Sequence, residues 1–310
     1  MIMDRTSDSS STHTTMNDDQ PYTIITGASG GLGTSFALEC AGHGRNLILI
    51  DLPGRQLSRL SDFLQRNFPI RVRALEIDLR ENGAAEKVAD EIRKHHLRVY
   101  MLINNAALNQ NETFVRSDAG YMRRMVEVNC ISYFTLIHEL LPFLKKEDRS
   151  IIINVSSLAG FFPLPRKTCY SASKAFVRQY SQALRMELSG TGVSVSILCP
   201  GAMTTNIDNY LLHRQLNWFS RQMLVHPSQV ARMTLRAAAK GKEIIIPGRL
   251  NRLVFNASMA IPAFLKKRLL RFSMKQLKTE HDEPVSSSER TRVPVEKEAA
   301  GLGAVLVTRP

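Results

Sequence analysis

A tyrosine and a lysine four residues apart are the side chains of this sequence best suited to chemistry. Tyr170 and Lys174 form a Tyr-x-x-x-Lys pair, and Ser157 precedes them. Residues four apart share one face of a helix, so the phenol and the ammonium would point into the same space. A free tyrosine has a pKa of about 10, and a fixed cation beside it favours the phenolate. The pattern predicts that Tyr170 exchanges a proton while Ser157 binds an oxygen atom of the substrate.

A glycine-rich segment upstream of this pair predicts a dinucleotide site. It runs from Thr26 to Gly33, between a strand-like run and a helical pattern. Glycines let the backbone approach a pyrophosphate, and the helix N-terminus offers free N–H groups. Asp51 ends the next apolar run, where an acid binds the hydroxyls of the adenosine ribose and would repel a 2′-phosphate. Because Leu52 rather than a base follows it, the sequence predicts NAD over NADP, although the nearby Arg55 leaves NADP open.

Short apolar runs alternate with helical patterns between residues 21 and 248 and predict an α/β fold. The predicted strands are Tyr22–Thr26, Asn46–Asp51, Arg71–Asp78, Val99–Asn104, Ser150–Val155, Ser194–Cys199 and Glu243–Ile246. The predicted helices are Leu32–Gly42, Gln56–Asn67, Gly83–His95, Tyr121–Lys145 and Thr168–Ser189. Strands that are apolar on both faces and alternate with helices predict a doubly wound parallel sheet in a single domain.

The order of these motifs resembles the short-chain dehydrogenase/reductase family over about residues 21–248. The segment from Thr26 to Gly33 fits the family's Thr-Gly-x-x-x-Gly-x-Gly turn. Residues 104–107 look like its Asn-Asn-Ala-Gly element, except that Ala107 replaces the last glycine. The resemblance implies a Rossmann fold and four catalytic residues, which are Asn129, Ser157, Tyr170 and Lys174.

The resemblance also implies a set of cofactor-binding positions. Asp78 matches the family's adenine-contacting acid, and Pro200, Gly201 and Thr205 match the loop that holds the nicotinamide carboxamide. The full set is Gly27, Ser29, Gly31, Leu32, Gly33, Asp51, Asp78, Leu79, Asn105, Ala106, Tyr170, Lys174, Pro200, Gly201 and Thr205.

By this resemblance the chain is expected to be an oxidoreductase that moves a hydride between NAD(H) and a secondary alcohol, ketone or aldehyde. Tyr170 would be the general acid in reduction and the base in oxidation. Lys174 would lower the pKa of Tyr170 and bind the nicotinamide ribose, and Asn129 would hold a water for proton relay. A catalytically silent NAD(H)-binding sensor or scaffold remains the alternative. An epimerase or dehydratase on the same fold is disfavoured by the glycine spacing.

The segment from Asn206 to Leu224 bears on the substrate. It carries several large apolar side chains, Trp218 among them, and in family members this segment forms the substrate lid. The resemblance therefore implies a lipophilic substrate, with packing on the core as the alternative reading. Two arginines in the segment would instead suit an anionic substrate. No metal is predicted, because His213 and His226 lack metal-ligand spacing.

Residues 249–278 are apolar and basic, with no acidic residue. A stripe at helical spacing is formed by Ile261, Phe264, Leu265, Leu269 and Phe272. Pro262 is expected to begin this helix. A basic amphipathic helix can lie on an anionic membrane surface. Packing of the stripe on the protein's own domain or on a second subunit is the alternative.

Composition bears on the partners and the cellular compartment of the protein. The chain has 310 residues, a formal net charge of +13 and 4 cysteines. No nucleic-acid-binding motif accompanies the charge, so nucleic acid is not expected as a partner. Scattered cysteines and a polar N-terminus without an apolar signal region predict a cytoplasmic protein, with peripheral membrane association as an addition. Residues 1–20 and 279–310 are predicted to be flexible tails, and the resemblance allows a homodimer or homotetramer.

Overall fold

Seven parallel strands form the central sheet of the computed structural model, which describes residues 20–203 and 223–261. The strands are β1 Tyr22–Thr26, β2 Asn46–Asp51, β3 Val72–Glu76, β4 Val99–Asn104, β5 Ser150–Val155, β6 Val193–Leu198 and β7 Ile244–Ile245. Their order in the sheet is β3-β2-β1-β4-β5-β6-β7, and each pair is parallel. The order reverses between β1 and β4, so the predicted doubly wound Rossmann fold is confirmed.

Helices cover both faces of this sheet. They are α1 Gly31–Gly42, α2 Arg55–Asn67, α3 Ala84–Lys94, α4 Ala119–Val126, α5 Ser132–Leu144, α6 Thr168–Glu187, α7 Pro227–Ala239 and α8 Arg249–Ala260. A π-helical turn, Glu127–Ile131, joins α4 to α5, and a 3-10 turn, Leu158–Phe161, follows β5.

The core lies in two layers, one on each face of the sheet. Ile25 packs in the layer that α1 and α7 cover, together with Phe36 and Val230. Its neighbour Ile24 packs in the other layer, with Leu140 of α5. Both isoleucines are 0% exposed. Two buried faces explain why the strands read as continuous apolar runs rather than as alternating patterns.

Apart from shifts of one or two residues at other element ends, the structure differs from the sequence prediction at β3, at the helix expected over Tyr121–Lys145, and in the unpredicted helices α7 and α8. Strand β3 ends at Glu76 rather than at Asp78. The single helix expected over Tyr121–Lys145 begins earlier, where the Asp118 carboxylate accepts a hydrogen bond from the Tyr121 N–H at 2.6 Å, and it is interrupted by the π turn. Helix α7 was not predicted; it packs beside α1, and Arg232 lies 3.3 Å from Glu39.

Several expectations concern residues outside the described ranges. These are the two tails, Thr205, most of the apolar segment after it, and the helix expected from Pro262. The preceding helix α8 is described. Its Phe255 packs with Phe161 of the 3-10 turn, the two ring centres lying 4.5 Å apart, against the cluster of Ile197 and Ile246. Within residues 20–203 and 223–261, no helix is long and apolar enough to cross a membrane.

Candidate active site

The predicted site residues gather where β1, β4 and β5 end. The glycine turn follows β1, Asn105 follows β4, and Ser157 comes two residues after β5. These strands are neighbours in the sheet and run in the same direction, so their carboxyl ends meet at one edge. The edge between β1 and β4 is also the point where the strand order reverses, which is where sheets of this type bind ligands.

The glycine turn is packed too closely to accept side chains at two positions. Gly27 has φ +62°, and a Cβ there would lie 2.8 Å from the Ala106 Cα. A Cβ on Gly33 would lie only 2.0 Å from the Gly27 carbonyl oxygen. Because no side chain fills this cradle, backbone N–H groups at the start of α1 can approach a ligand directly.

Thr26 ties the turn to the end of β4. Its hydroxyl oxygen accepts hydrogen bonds from the N–H groups of Asn105 at 2.9 Å and Ala106 at 3.0 Å. The Asn105 side-chain amide donates in return to the carbonyl oxygens of Thr26 at 3.0 Å and Gly27 at 3.1 Å. The residues predicted to flank the cofactor are thereby held in one rigid unit.

Asp51 lies directly beside the glycine turn. Its carboxylate accepts from the Ser29 N–H at 2.7 Å and from the Leu52 N–H at 2.8 Å. The Ser29 hydroxyl oxygen is buried and has no hydrogen-bond partner among the described residues. A dinucleotide needs donors for its pyrophosphate, which the open helix N-terminus and the unpartnered hydroxyl offer, and an acceptor for its ribose hydroxyls, which the carboxylate at the end of β2 offers. These residues therefore fit such a cofactor.

The other predicted cofactor-binding residues make different kinds of contact with the rest of the fold. The Arg80 guanidinium pairs with Asp78 and lowers the pKa of that carboxyl. Leu79 packs against the core layer of Ile24. The carbonyl of Pro200 accepts from the Leu158 N–H at 3.0 Å, which joins this loop to the 3-10 turn. Gly201 lies against Asn251 of α8, where a Cβ would come within 3.0 Å of the side-chain amide.

Lys174 is fully buried behind Tyr170. Its side chain is 1% exposed, and its ammonium donates to the Val155 carbonyl at 2.8 Å. The ammonium nitrogen lies 5.9 Å from the centre of the Tyr170 ring and 5.4 Å from that of Tyr133. Burial lowers the pKa of Lys174 to about 8, so the side chain is mostly charged at neutral pH.

The electrostatics of Tyr170 differ from the sequence prediction. Burial raises the pKa of the phenol, and the hydrogen bond with the Ser157 hydroxyl opposes this rise. The spacing of Tyr170 and Lys174 predicts instead that Lys174 lowers that pKa. Among the described residues the hydrogen bond of Lys174 goes to the Val155 carbonyl, and its ammonium stands over the ring. Desolvation of the phenol is therefore the larger effect.

Ser157 is brought to Tyr170 by a close contact between two backbones. The Ser157 hydroxyl caps the 3-10 turn by accepting from the Ala159 N–H at 3.1 Å. In the same turn, a Cβ on Gly160 would lie 2.7 Å from the Lys174 carbonyl oxygen. The Ser156 hydroxyl donates to that carbonyl at 2.7 Å. Glycine at 160 thus lets the turn that carries Ser157 lie against α6.

Asn129 lies in the π turn and is 0% exposed. Its side-chain oxygen accepts from the Leu108 N–H at 2.8 Å. Its amide donates to the Leu108 carbonyl at 2.9 Å and to the Ser173 hydroxyl at 3.0 Å. Asn129 therefore joins the segment after β4 to the helix that carries Tyr170 and Lys174, and the π turn is what orients it.

Two polar residues of the site had no signal in the sequence analysis. Gln110 is 3% exposed, and its side-chain oxygen accepts from the Cys169 N–H at 2.9 Å, which caps the start of α6. The Lys167 ammonium donates to the Asn109 side-chain oxygen and to the Gln110 carbonyl, both at 3.0 Å. Both residues fix the helix start to the loop after β4. These contacts join segments far apart in sequence, so no local motif marks them.

Comparison with known proteins agrees with this geometry. The family model for short chain dehydrogenases matches residues 22–216. The chain is 35% identical to a sulfoacetaldehyde reductase of Chromohalobacter salexigens over 184 residues, 59% of this chain and 72% of that protein. It is 29% identical to the 17-beta-hydroxysteroid dehydrogenase type 3 of Rattus norvegicus over 192 residues, 61% of this chain and 62% of the relative. It is 28% identical to the human very-long-chain 3-oxoacyl-CoA reductase, over 60% of each chain. The match thus spans about three fifths of the length of the last two relatives.

Solved structures show the same fold. A 7beta-hydroxysteroid dehydrogenase structure superposes with a TM-score of 0.72 at 22% identity, over 81% of this chain and 96% of that one. A short-chain dehydrogenase from Sphingobium yanoikuyae in complex with NADPH gives a TM-score of 0.65 at 24% identity, covering 86% and 99%. One from Burkholderia phymatum in complex with NAD gives 0.65 at 24%, covering 86% and 98%. The family model covers more than half of the chain, and the chain belongs to the short-chain dehydrogenase/reductase family.

Proposed function

We propose that this protein transfers a hydride between NAD(H) and a secondary alcohol, ketone or aldehyde, with Tyr170 as the general acid and base. The observation that carries the proposal is the meeting of three side chains at one sheet edge. Ser157 begins the 3-10 turn that lies against α6, the helix that carries Tyr170, and the buried ammonium of Lys174 lies 5.9 Å from the centre of the Tyr170 ring. The glycine cradle between β1 and α1 opens at the same edge.

A bound nicotinamide cofactor would supply or accept the hydride. In carbonyl reduction the Tyr170 hydroxyl gives its proton to the substrate oxygen, and in alcohol oxidation the phenolate takes that proton back. Ser157 donates a hydrogen bond to the same oxygen, where negative charge develops. The Lys174 ammonium favours the phenolate electrostatically once the proton has left. General acid–base help of this kind contributes roughly 10²–10⁴-fold to the rate.

NAD(H) is the proposed cofactor rather than NADP(H). The Asp51 carboxylate lies at the end of β2 and is held by the N–H groups of Ser29 and Leu52. A 2′-phosphate on the ribose would be repelled there. Leucine at position 52 offers no cation to a phosphate. Because its side chain is 53% exposed, the position could carry an arginine without burying its charge. Asp51→Ser combined with Leu52→Arg should move the preference toward NADP(H).

The proposed substrate is lipophilic. Two relatives are named for a hydroxysteroid and for a very-long-chain acyl compound. Beside Ser157, the apolar side chains of Leu158 and Phe161 are only partly buried, against the cluster of Ile197 and Ile246. The apolar segment after Thr205, by the family resemblance a substrate lid, supports the same reading.

Membrane association is proposed for the basic segment 249–278. Its support is the sequence pattern, which combines an apolar stripe with basic residues. Co-sedimentation with phosphatidylserine vesicles should show binding that weakens with salt and with removal of residues 262–310. Equal binding to phosphatidylcholine vesicles, or none to either, would contradict the electrostatic model.

A panel of alcohols and ketones tests the proposal, with NAD⁺, NADH, NADP⁺ and NADPH read at the nicotinamide absorbance. The panel should pair short and long aliphatic members so that chain length reports on lipophilicity. Turnover favouring NAD(H), rising with chain length, is expected. Binding of NAD(H) without turnover of any member would favour a silent sensor instead. A higher kcat/KM with NADPH than with NADH would refute the cofactor assignment.

A further inference from the structure

Two cations, Arg166 and Lys167, come directly before the helix that carries Tyr170, and Lys167 lies beside its ring. Arg166 and Lys167 occupy the end of the loop between the 3-10 turn and α6. The Lys167 ammonium lies 5.3 Å from the centre of the Tyr170 ring. Two acidic residues that follow β4 in the chain have other partners: Asp118 pairs with Arg124, and Glu112 accepts from the Thr113 N–H. Within the described part of the chain, neither cation forms an ion pair.

Lys167 keeps donor capacity after its contacts are counted. Its ammonium has three N–H donors and gives two hydrogen bonds, to the Asn109 side-chain oxygen and the Gln110 carbonyl. Both acceptors are neutral. The side chain is half-buried, and burial lowers the pKa of this ammonium because no anion offsets the lost water. An incoming anion would supply the missing counter-charge.

Arg166 shows two signs of a residue held for binding rather than for stability. Its φ is +60°, a left-handed backbone conformation that residues other than glycine disfavour. Its Nε is buried without a hydrogen-bond partner among the described residues. One guanidinium N–H makes a long contact of 3.4 Å to the Asn111 carbonyl. A strained backbone and an unpaired buried donor are features that collect at functional sites.

We propose that Lys167, with Arg166 beside it, binds an acidic group of the substrate whose oxygen is held by Ser157 and Tyr170. The substrate is then a carbonyl compound with a carboxylate, sulfonate or phosphate a few bonds away from the reacting carbon. The inference rests on the proposed function, because it takes Ser157 and Tyr170 as the reacting end. It is compatible with a lipophilic substrate, since an oxo acid can carry an aliphatic chain.

The test measures binding rather than turnover. Calorimetry in the presence of NAD⁺, with which a ketone cannot be reduced, would give the Kd of 4-oxodecanoate and of its methyl ester. The two probes share the carbonyl and the chain and differ in charge. The variants are Lys167→Met, Lys167→Arg and, as a matched control, Lys146→Met, which removes an exposed lysine at the end of α5.

The wild type should bind the acid more tightly than the ester by about tenfold or more, as expected for a charge-assisted hydrogen bond. Lys167→Met should abolish this ratio, Lys167→Arg should keep most of it, and Lys146→Met should leave it unchanged. The ratio cancels any general damage to the site. Equal binding of the two probes by the wild type, no binding of either, or an unchanged ratio in Lys167→Met would overturn the inference. A failed turnover panel with an intact acid preference would instead count against the proposed function alone.

Discussion

Replacing Lys174 by methionine should remove activity and yet make the protein more stable at neutral pH. The side chain is 1% exposed, and burial lowers its pKa from 10.5 to about 8. Each pKa unit corresponds to about 1.4 kcal/mol. Keeping this ammonium charged at pH 7 therefore costs the folded state about 3 kcal/mol relative to the unfolded chain.

Contacts of the ammonium offset part of this cost. The hydrogen bond to the Val155 carbonyl contributes about 1 kcal/mol. The positions of the ammonium over the rings of Tyr133 and Tyr170 contribute about 1 kcal/mol more. After the substitution the Val155 carbonyl is not orphaned, because it also accepts from the Tyr133 hydroxyl at 3.3 Å. The net expectation for Lys174→Met is a gain of about 1 kcal/mol in the free energy of unfolding at pH 7.

The gain should shrink as pH rises. The folded-state pKa of Lys174 lies below its unfolded value, so the unfolded chain binds more protons between about pH 8 and 10.5. The lysine's penalty is full below pH 8 and disappears across this window. Buried thiols act in the opposite direction, since burial raises the pKa of Cys40 and Cys199 to about 12. The Cys40 thiol affects wild type and variant alike, whereas the charge of Lys174 lowers the pKa of the Cys199 thiol. Burial remains the largest cause at Cys199, so the difference between the two proteins mainly reports Lys174.

The assay is urea unfolding followed by far-UV circular dichroism, at about pH 7 and pH 9.5, with turnover measured on the same samples. Turnover should fall by about 10²-fold or more. Lys146→Met is the matched control and should change neither quantity. A variant less stable than wild type by about 1 kcal/mol or more at pH 7 would refute the reasoning, and so would a stability difference that grows with pH.

Three further predictions follow from the geometry. Tyr170→Phe should lower turnover by about 10²-fold or more while NAD(H) binding by calorimetry stays nearly unchanged; near-normal turnover would contradict the assigned role. Gly33→Ala should weaken NAD(H) binding and destabilise the fold by about 1–3 kcal/mol, because its Cβ meets the Gly27 carbonyl oxygen at 2.0 Å. Gly42→Ala, at the open end of the same helix, should instead stabilise by up to about 1 kcal/mol in urea titrations, and equal effects of the two would refute the clash. A maleimide should label Cys169 first by mass spectrometry, since the other three thiols are buried; earlier labelling of any of those three would contradict this.

The sheet could be predicted because its strands carry their own signal. Strands buried on both faces are short and aliphatic throughout, and β1, β2, β4 and β5 were predicted with their observed bounds. The glycine turn was equally readable. The backbone at position 27 has a positive φ, and position 33 has no room for a Cβ atom. Both conditions favour glycine, and the two positions stand at a fixed spacing in the sequence.

Contacts between distant segments could not be read in the same way. The side chain of Asn129, in the π turn, is hydrogen-bonded to Leu108, which lies on the loop after β4. Gln110 caps α6 from a position before α4. The pKa of Tyr170 depends on how completely the fold buries it, and a motif records neighbours in sequence rather than the water that is excluded.

Gly160 is an example of a residue whose importance to the site comes from a contact between distant segments. Nothing in the sequence analysis singled it out, because it belongs to none of the motifs. In the fold it is the point where the 3-10 turn meets α6, and a Cβ there would press on the Lys174 carbonyl oxygen at 2.7 Å. Ser157 begins that turn, and Tyr170 and Lys174 project from that helix. The spacing between the Ser157 hydroxyl, proposed to bind the substrate oxygen, and the Tyr170 hydroxyl, proposed to protonate it, thus depends on a residue without a side chain.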